Sequence, residues 1–311
     1  MAEGNRLARG VLCALAGAIA WGFSGAMIQR LFASYSIEPL LMTAIRMLGS
    51  GALFLASLAA MRGPLLREML GDADARKGLA IFGVFGLFAC SSLYTTTVFF
   101  TNAGTATVLQ TLNAPILLAA ACLAGRRAPR ALELAALVCA LVATCLVATG
   151  GDPRSLALSP EGLGFGLATA VAAAFYIAYP KRLFERWGSF AVTGVGMAIG
   201  GVAALALWLI SGGPSRGLPD FDLVGAAVLA VNILIGTFGA FGLYLHGVSI
   251  VGSVSGSMLG AAEPVSATLF SALWLGTAFS WADWAGLVLM VATIVLIALQ
   301  TRRSDVQKGL L

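Results

Sequence analysis

Residues Gly10–Gln29 read GVLCALAGAIAWGFSGAMIQ, an unbroken run without a formal charge, preceded by Arg6 and Arg9 and followed by Arg30. A helix rising about 1.5 Å per residue needs about 20 mostly apolar residues to cross a hydrocarbon core of about 30 Å, so this stretch reads as a membrane span. Ala14-Leu-Ala16 has the form of a signal-peptide cleavage site. The apolar run is longer than a typical signal-peptide core, however, so the segment is expected to be a retained helix.

Nine more stretches of the same kind follow, giving Gly10–Gln29, Pro39–Met61, Gly78–Phe100, Ala103–Ala124, Ala131–Thr149, Gly162–Phe184, Ser189–Ser211, Leu223–His246, Ile250–Leu275 and Trp281–Gln300. Short connections rich in Gly, Pro or charge separate them, as at Arg62-Gly-Pro64, Gly125-Arg-Arg127, Gly150-Gly-Asp-Pro153 and Gly212-Gly-Pro214. Membrane β-strands would be about ten residues long and alternate in polarity, which these stretches do not. Composition agrees. The chain is 59% hydrophobic and only 11% charged, against about 25% charged in a soluble domain. That excludes a soluble enzyme, a nucleic-acid-binding module and a disordered linker. The expectation is an all-α polytopic membrane protein of ten transmembrane helices.

The basic charge has a topological explanation. With a cytoplasmic N-terminus, the inner loops and tails hold fifteen of the nineteen Lys and Arg residues, among them Arg6, Arg9, Arg62, Arg67, Arg126, Arg127, Arg182, Arg186 and Lys308. The outer loops hold Arg30, Arg154 and Arg216, and Arg46 lies within the second helix. Such a bias is the positive-inside pattern, so both termini are expected in the cytoplasm of a bacterium, with the chain in the inner membrane. Anionic lipid head groups are then a sufficient partner for the surplus charge, and no nucleic acid is needed. Cys13, Cys90, Cys122, Cys139 and Cys145 all fall in apolar runs without a CxxC pair. They read as small buried side chains, with no metal site and no disulfide framework.

Sliding the chain on itself exposes an internal offset of about 150 residues. Pro115 falls on Pro264 and Val142-Ala-Thr144 on Val291-Ala-Thr293 at 149; Leu93-Tyr94 falls on Leu243-Tyr244 at 150; Arg30-Leu-Phe32 falls on Arg182-Leu-Phe184 at 152. Two halves, 1–152 and 153–311, of five helices each are expected, and an odd helix count makes them inverted repeats. Secondary transporters built this way place the substrate near the midplane, where the halves meet.

Ten helices in a 5+5 layout, Trp21-Gly22 in the first helix, Arg46 in the second, and Pro115 and Pro264 in the fourth and ninth form a recognisable set. The set resembles the drug/metabolite transporter superfamily, in its EamA-type exporter group, over nearly the whole chain. Within the group it is most similar to the YddG-type amino-acid exporters. The family's glycine–acidic pair after the fourth or ninth helix is incomplete, since Arg126 follows Gly125 and Thr277 follows Gly276. The resemblance implies export of small metabolites, aromatic or neutral amino acids among them, without an ATPase subunit and without a cofactor. It also implies alternating access, with one half rocking against the other around a cavity lined by the first, third, fourth, sixth, eighth and ninth helices.

Polar groups at bilayer depth are the candidate site. Glu263 is the one carboxylate near the centre of a span, roughly 20 Å from the inner face. It reads either as a substrate-ammonium or proton site, or as an ion-pair partner of Arg46, whose depth matches. Gln110, Asn113 and Asn232 read as ligands for a zwitterion or as bridges between helices. Trp21, near mid-membrane, reads as a cavity wall or as packing, and Tyr94 and Tyr176 are further wall candidates. Trp274, Trp281 and Trp284 read as interfacial belt residues. Pro115 and Pro264 should interrupt their helices. Gly252, Gly256 and Gly260, spaced by four, should give the ninth helix a close-packing face.

Two rivals are weighed on residues. Gly22-Phe-Ser-Gly25 has the GxSG form of rhomboid proteases, but His246, the one histidine, lies at the end of the eighth helix, far in depth from Ser24. A nucleophile and its base need contact at about 3 Å. No GxxxxGK[ST] phosphate loop and no HExxH occurs. A channel and a non-transporting membrane subunit are the remaining alternatives to a carrier.

Overall fold

The computed structural model describes residues 2–152 and 156–307; Pro153, Arg154 and Lys308 lie outside them. Among the described residues there is no β-strand, and ten helices are long and apolar enough to cross a membrane. They are α1 (Arg6–Ser34), α2 (Pro39–Gly71), α3 (Ala73–Phe100), α4 (Ala103–Ala124), α5 (Ala131–Thr149), α6 (Pro160–Trp187), α7 (Ser189–Ile210), α8 (Leu223–Val251), α9 (Met258–Leu275) and α10 (Trp281–Gln300). The protein is an all-α polytopic membrane protein. Side chains such as Leu123, Ile210 and Leu273 are exposed on its outside, where a bilayer supplies the apolar partner.

Several helix bounds differ by a few residues from the sequence reading, and two of the differences have a local cause. The chain does not leave the helix at Arg62-Gly-Pro64. It kinks at Arg62 (φ −146°, ψ 48°) and then continues helical to Gly71, because Pro64 sits in the first turn after the kink, where a missing N–H breaks no bond. The eighth helix runs past His246 to Val251 and stops at Gly252, whose φ of 84° only glycine adopts freely. Gly252 is therefore the break between α8 and α9 and no part of a packing face on the ninth helix.

Lipid tails are as apolar as leucine, so burying apolar surface gives helices little reason to associate, and close van der Waals contact has to hold the bundle. Small residues supply it. A Cβ at Gly51 would stand 2.8 Å from the Ala198 nitrogen and one at Gly201 would stand 2.8 Å from the Leu48 nitrogen, so α2 and α7 pack backbone to backbone. α5 packs on α10, α1 on α8 and α9, and α6 on α3 and α4. Phe54, Phe82, Met69 and Trp187 fill the core between α2, α3, α6 and α7 at one end, and Ile28, Leu31, Met42 and Trp208 fill the other.

Helical hydrogen bonding is irregular at four places that the same offsets relate. α3 contains a π-helical stretch at Phe82–Phe88 and α8 contains one at Asn232–Gly239, starting 150 residues later. α4 is interrupted at Thr111–Leu112 and α9 at Ala261, in each case just before the proline. Proline cannot donate to the carbonyl four residues back. In α4 the freed Thr111 carbonyl accepts Ala114 N–H at 3.1 Å instead, a tighter turn in the same place.

The loops of the two faces are tied by similar contacts. Asp72 caps α3 by accepting the Ala75 N–H at 2.8 Å, and Asp222, 150 residues later, caps α8 by accepting the Gly225 N–H at 2.8 Å. Each carboxylate also reaches across to the other half of the chain. Arg186 donates to Asp72 at 2.5 Å, and Tyr35 donates to Asp222. The Ala75 amide first, then Arg186, holds Asp72 below the usual carboxylate range; the Tyr35 hydroxyl and the Gly225 amide do the same for Asp222. Beside Asp222, Arg216 pairs with Glu38, which also accepts Trp208 Nε1 at 3.1 Å.

The charge pattern and the helix order give a direct topological expectation. In a background without native cysteines, a cysteine at Ser215 should react with an impermeant maleimide on intact cells, and one at Asp74 only after the membrane is opened. Labelling of both from one side would contradict the ten-span arrangement.

Candidate functional site

α1 is the hub of the polar interior because Trp21-Gly-Phe-Ser-Gly25 offers so little bulk. A Cβ at Gly22 would run into Ser266 and into the α9 backbone at Glu263 and Ala267. One at Gly25 would meet the Tyr94 hydroxyl of α3 at 2.5 Å, and Gly236 of α8 lies against Ser24. Two glycines thus bring α3 and α9 to the same level of α1.

At that level lies Glu263, in the first turn of the Ala262–Leu275 segment that follows the α9 interruption. A carboxylate at a helix N-terminus is favoured by the partial positive charge of the free N–H groups. Cys90 and Tyr94 of α3, Tyr176 of α6 and Tyr244 of α8 all lie within electrostatic reach of Glu263. Arg46 of α2 shares two of those neighbours, Cys90 and Tyr94. No direct ion pair joins Arg46 to Glu263; among the described residues the ion pairs are those of the loops. The expected contact between them is therefore absent as a direct bond, and the two charges face a common set of side chains instead.

The Nε and Nη1 atoms of Arg46, the Trp21 indole nitrogen and the Ser91 hydroxyl are buried with no hydrogen-bond partner among the described residues. Buried polar atoms are almost always paired, and a charged one left bare is the most unfavourable case. Trp21 sits against Phe241 at 4.8 Å and Tyr244 at 4.6 Å between ring centroids. Tyr94 meets Thr107 of α4 at 3.2 Å, and Tyr176 stacks on Phe82 at 5.8 Å. The result is a polar interior that holds a guanidinium, a carboxylate, aromatic rings and hydroxyls. Such a set can bind a small solute bearing both charges. No group of His, Cys, Asp and Glu that would hold a metal occurs among the described residues.

The three amides fare differently. Asn232 is fully buried and donates to the Ser24 carbonyl at 2.9 Å and to its hydroxyl at 3.0 Å, which makes it a bridge between α8 and α1. Asn113 donates to the Gln110 carbonyl at 2.9 Å, closing the α4 interruption on itself. Gln110 keeps a half-buried side chain three residues beyond Thr107, which contacts Tyr94. Gly256 and Gly260 pack toward Val248 and Tyr244 of α8, and the Tyr244 hydroxyl donates to the Gly256 carbonyl at 3.0 Å. Ser24 is spent on Asn232, while His246 is exposed at the end of α8; the two do not form a nucleophile–base pair.

Three residues of this interior escape the sequence reading. Tyr244 was reachable as the partner of Tyr94 at the 150-residue offset. Cys90, read as a small apolar side chain, lies within electrostatic reach of both Arg46 and Glu263. Gln29 ends an apolar run, yet its amide donates to Thr277 at 2.8 Å and accepts from Ala103 N–H and Ser271, each at 3.0 Å, tying α1 to α4 and α9.

Comparison with known proteins agrees with this architecture. The profile of the EamA-like transporter family matches residues 8–149 and again 160–299. A protein of Salmonella typhimurium (strain LT2) named "Uncharacterized inner membrane transporter YicL" is 36% identical over 297 residues, covering 95% of this chain and 97% of that one. A solved crystal structure, described only as that of a protein, superposes with a TM-score of 0.63 at 20% identity, covering 94% of this chain and 98% of that one. At such identity the likeness concerns the fold alone.

The bridging role of Asn232 is open to measurement. Asn232→Leu strands the Ser24 hydroxyl and should lower stability by about 1 kcal/mol, the usual scale of an interhelical hydrogen bond in a membrane. Thermal unfolding of the purified chain should show the drop; an unchanged midpoint with ligand binding lost would make Asn232 a ligand residue instead.

Proposed function

From a chain that belongs to the EamA-like transporter family, we propose a secondary transporter that exports small zwitterionic metabolites, neutral or aromatic amino acids first among them, across the inner membrane by alternating access. The family membership makes it a membrane transporter and supports that reading over an enzyme; the substrate, the direction and the YddG-type kinship are the proposal. One observation carries it. Arg46 and Glu263 are half-buried formal charges of opposite sign at membrane depth that both lie within electrostatic reach of Cys90 and Tyr94 without bonding each other.

The proposal places a chamber between these two groups, and an amino acid carries the counter-charges of both. Its carboxylate would take the bare N–H groups of Arg46, a charge-assisted contact about twice as strong as a neutral one. Its ammonium would take Glu263, with the faces of Tyr94 or Tyr244 beside it. An apolar or aromatic side chain would lie against Trp21. Gln110 and Tyr176 would line the remaining wall.

Movement is proposed to come from two inverted five-helix repeats, 1–152 and 153–311. The family profile matches twice, and π-stretches and proline interruptions recur at the repeat offsets, which supports that division. A helix whose bonding is broken in the middle can bend there without further loss, so the segments beyond Pro115 and Pro264 are suited to swing. The loop contacts Arg186–Asp72 on one face and Tyr35–Asp222 with Arg216–Glu38 on the other would open in turn.

Proteoliposomes test the reading. Counterflow of a panel of amino acids, with sugars as controls, should find at least one zwitterionic substrate. Arg46→Gln and Glu263→Gln should each lower its uptake roughly ten-fold or more, the scale of one lost charged hydrogen bond. The double variant should be less impaired than the product of the two losses, because both charges serve one ligand. Full uptake in both single variants, or independent effects, would contradict the site. Dependence of uptake on an imposed pH gradient would assign Glu263 a proton as well.

A further inference from the structure

Away from the chamber, α1 and α8 cross in near backbone contact. A Cβ at Gly10 would stand 2.7 Å from Ile250, and one at Gly247 would stand 2.7 Å from the Gly10 carbonyl. Alongside this crossing a cavity of about 810 Å³ opens between the two ends, lined by Arg6, Arg9, Leu12, His246, Ser249 and Ile250. No lining residue is acidic. Both arginines are exposed and belong to no ion pair among the described residues. Leu7 and Leu12 are also exposed on this stretch, at 55% and 67%.

Two guanidiniums and an imidazole over exposed leucines match the two parts of one molecule. A phosphate needs donors, which the two guanidiniums supply in forked pairs. An acyl chain needs apolar surface running inward from them, which Leu12 and Ile250 give. The level is also right, because Arg6 and Arg9 immediately precede the apolar run of α1, where the head groups of a bilayer lie. A free anion would use the arginines and leave the leucines in water.

We propose that this cavity between the N-terminal end of α1 and the C-terminal end of α8 is a binding site for an anionic phospholipid, its phosphate on Arg6 and Arg9 and its chains against Leu12 and Ile250. The site is independent of the transported solute. Because α1 carries Trp21 and α8 carries Tyr244, a lipid wedged at their crossing sits on the two helices that wall the chamber.

Native mass spectrometry of the full-length purified chain tests this with phosphatidylglycerol, phosphatidylcholine and inorganic phosphate as probes. Retention of phosphatidylglycerol should exceed that of phosphatidylcholine roughly ten-fold or more, since each basic side chain near an anionic surface contributes appreciably. The Arg6→Gln/Arg9→Gln double variant should abolish the preference, whereas Arg62→Gln/Arg67→Gln, an equal loss of charge elsewhere, should leave it. His246→Asp places a carboxylate in the cavity without altering α1 and should also expel the lipid, which keeps the test open if the first variant folds poorly. Equal retention of both lipids, or a preference unchanged in both cavity variants, would overturn the proposal. Displacement of phosphatidylglycerol by millimolar inorganic phosphate would also overturn it, in favour of a free-anion site.

Discussion

A guanidinium and a carboxylate, both half-buried at membrane depth and not bonded to each other, set the terms for the rest of this molecule. A charge deep in a membrane protein is tolerated only where partners or water reach it. If Arg46 and Glu263 met directly, the interior would be a locked ion pair and a structural element. Unbonded to each other, with the Arg46 Nε and Nη1 atoms unpartnered, they leave hydrogen-bonding capacity unused in the interior, which is the basis of the proposed ligand site. The glycines of α1 serve this arrangement, since they draw α3 and α9 close enough for Tyr94 and Glu263 to share one level.

The backbone obeys a second constraint of the same origin. Hydrocarbon offers no hydrogen bonds, so non-helical backbone at membrane depth must be satisfied within the protein. The interruption of α4 meets this by local means, since the Thr111 carbonyl accepts Ala114 N–H and Asn113 returns to Gln110, and in α9 the Ala261 N–H donates to the Met258 carbonyl at 3.2 Å. In α8 the Thr237 hydroxyl donates to the Asn232 carbonyl at 3.1 Å, five residues back, within the π-helical stretch. These interruptions are therefore satisfied within the protein, as the hinges proposed at Pro115 and Pro264 require.

How much of this is legible in the sequence follows from what each signal measures. The ten spans are legible because hydropathy over about 20 residues responds to the bilayer itself. The interruptions at Pro115 and Pro264 are legible because proline removes a specific bond. The π-stretches at Phe82–Phe88 and Asn232–Gly239 are not, since bond register there depends on packing between helices and no residue type demands it. Glu263 and Arg46 stand out as charges in apolar runs, but whether they touch depends on helix rotation, which a near-uniform apolar surface does not encode. Asn232 and Gln29 look alike as intramembrane amides; their partners Ser24, Thr277 and Ser271 lie more than 200 residues away along the chain, beyond any local pattern.

The central claim is that one chamber, holding Arg46 and Glu263, is opened alternately to the two faces. Pulsed electron–electron distances between spin labels measure this most directly, with one pair at Ser36 and Ser215 and a second pair at Asp74 and Glu185. Addition of a transported amino acid to the chain in nanodiscs should lengthen the mean distance of one pair and shorten that of the other. Distances that change in the same sense, or that both stay fixed while transport proceeds, would contradict the account.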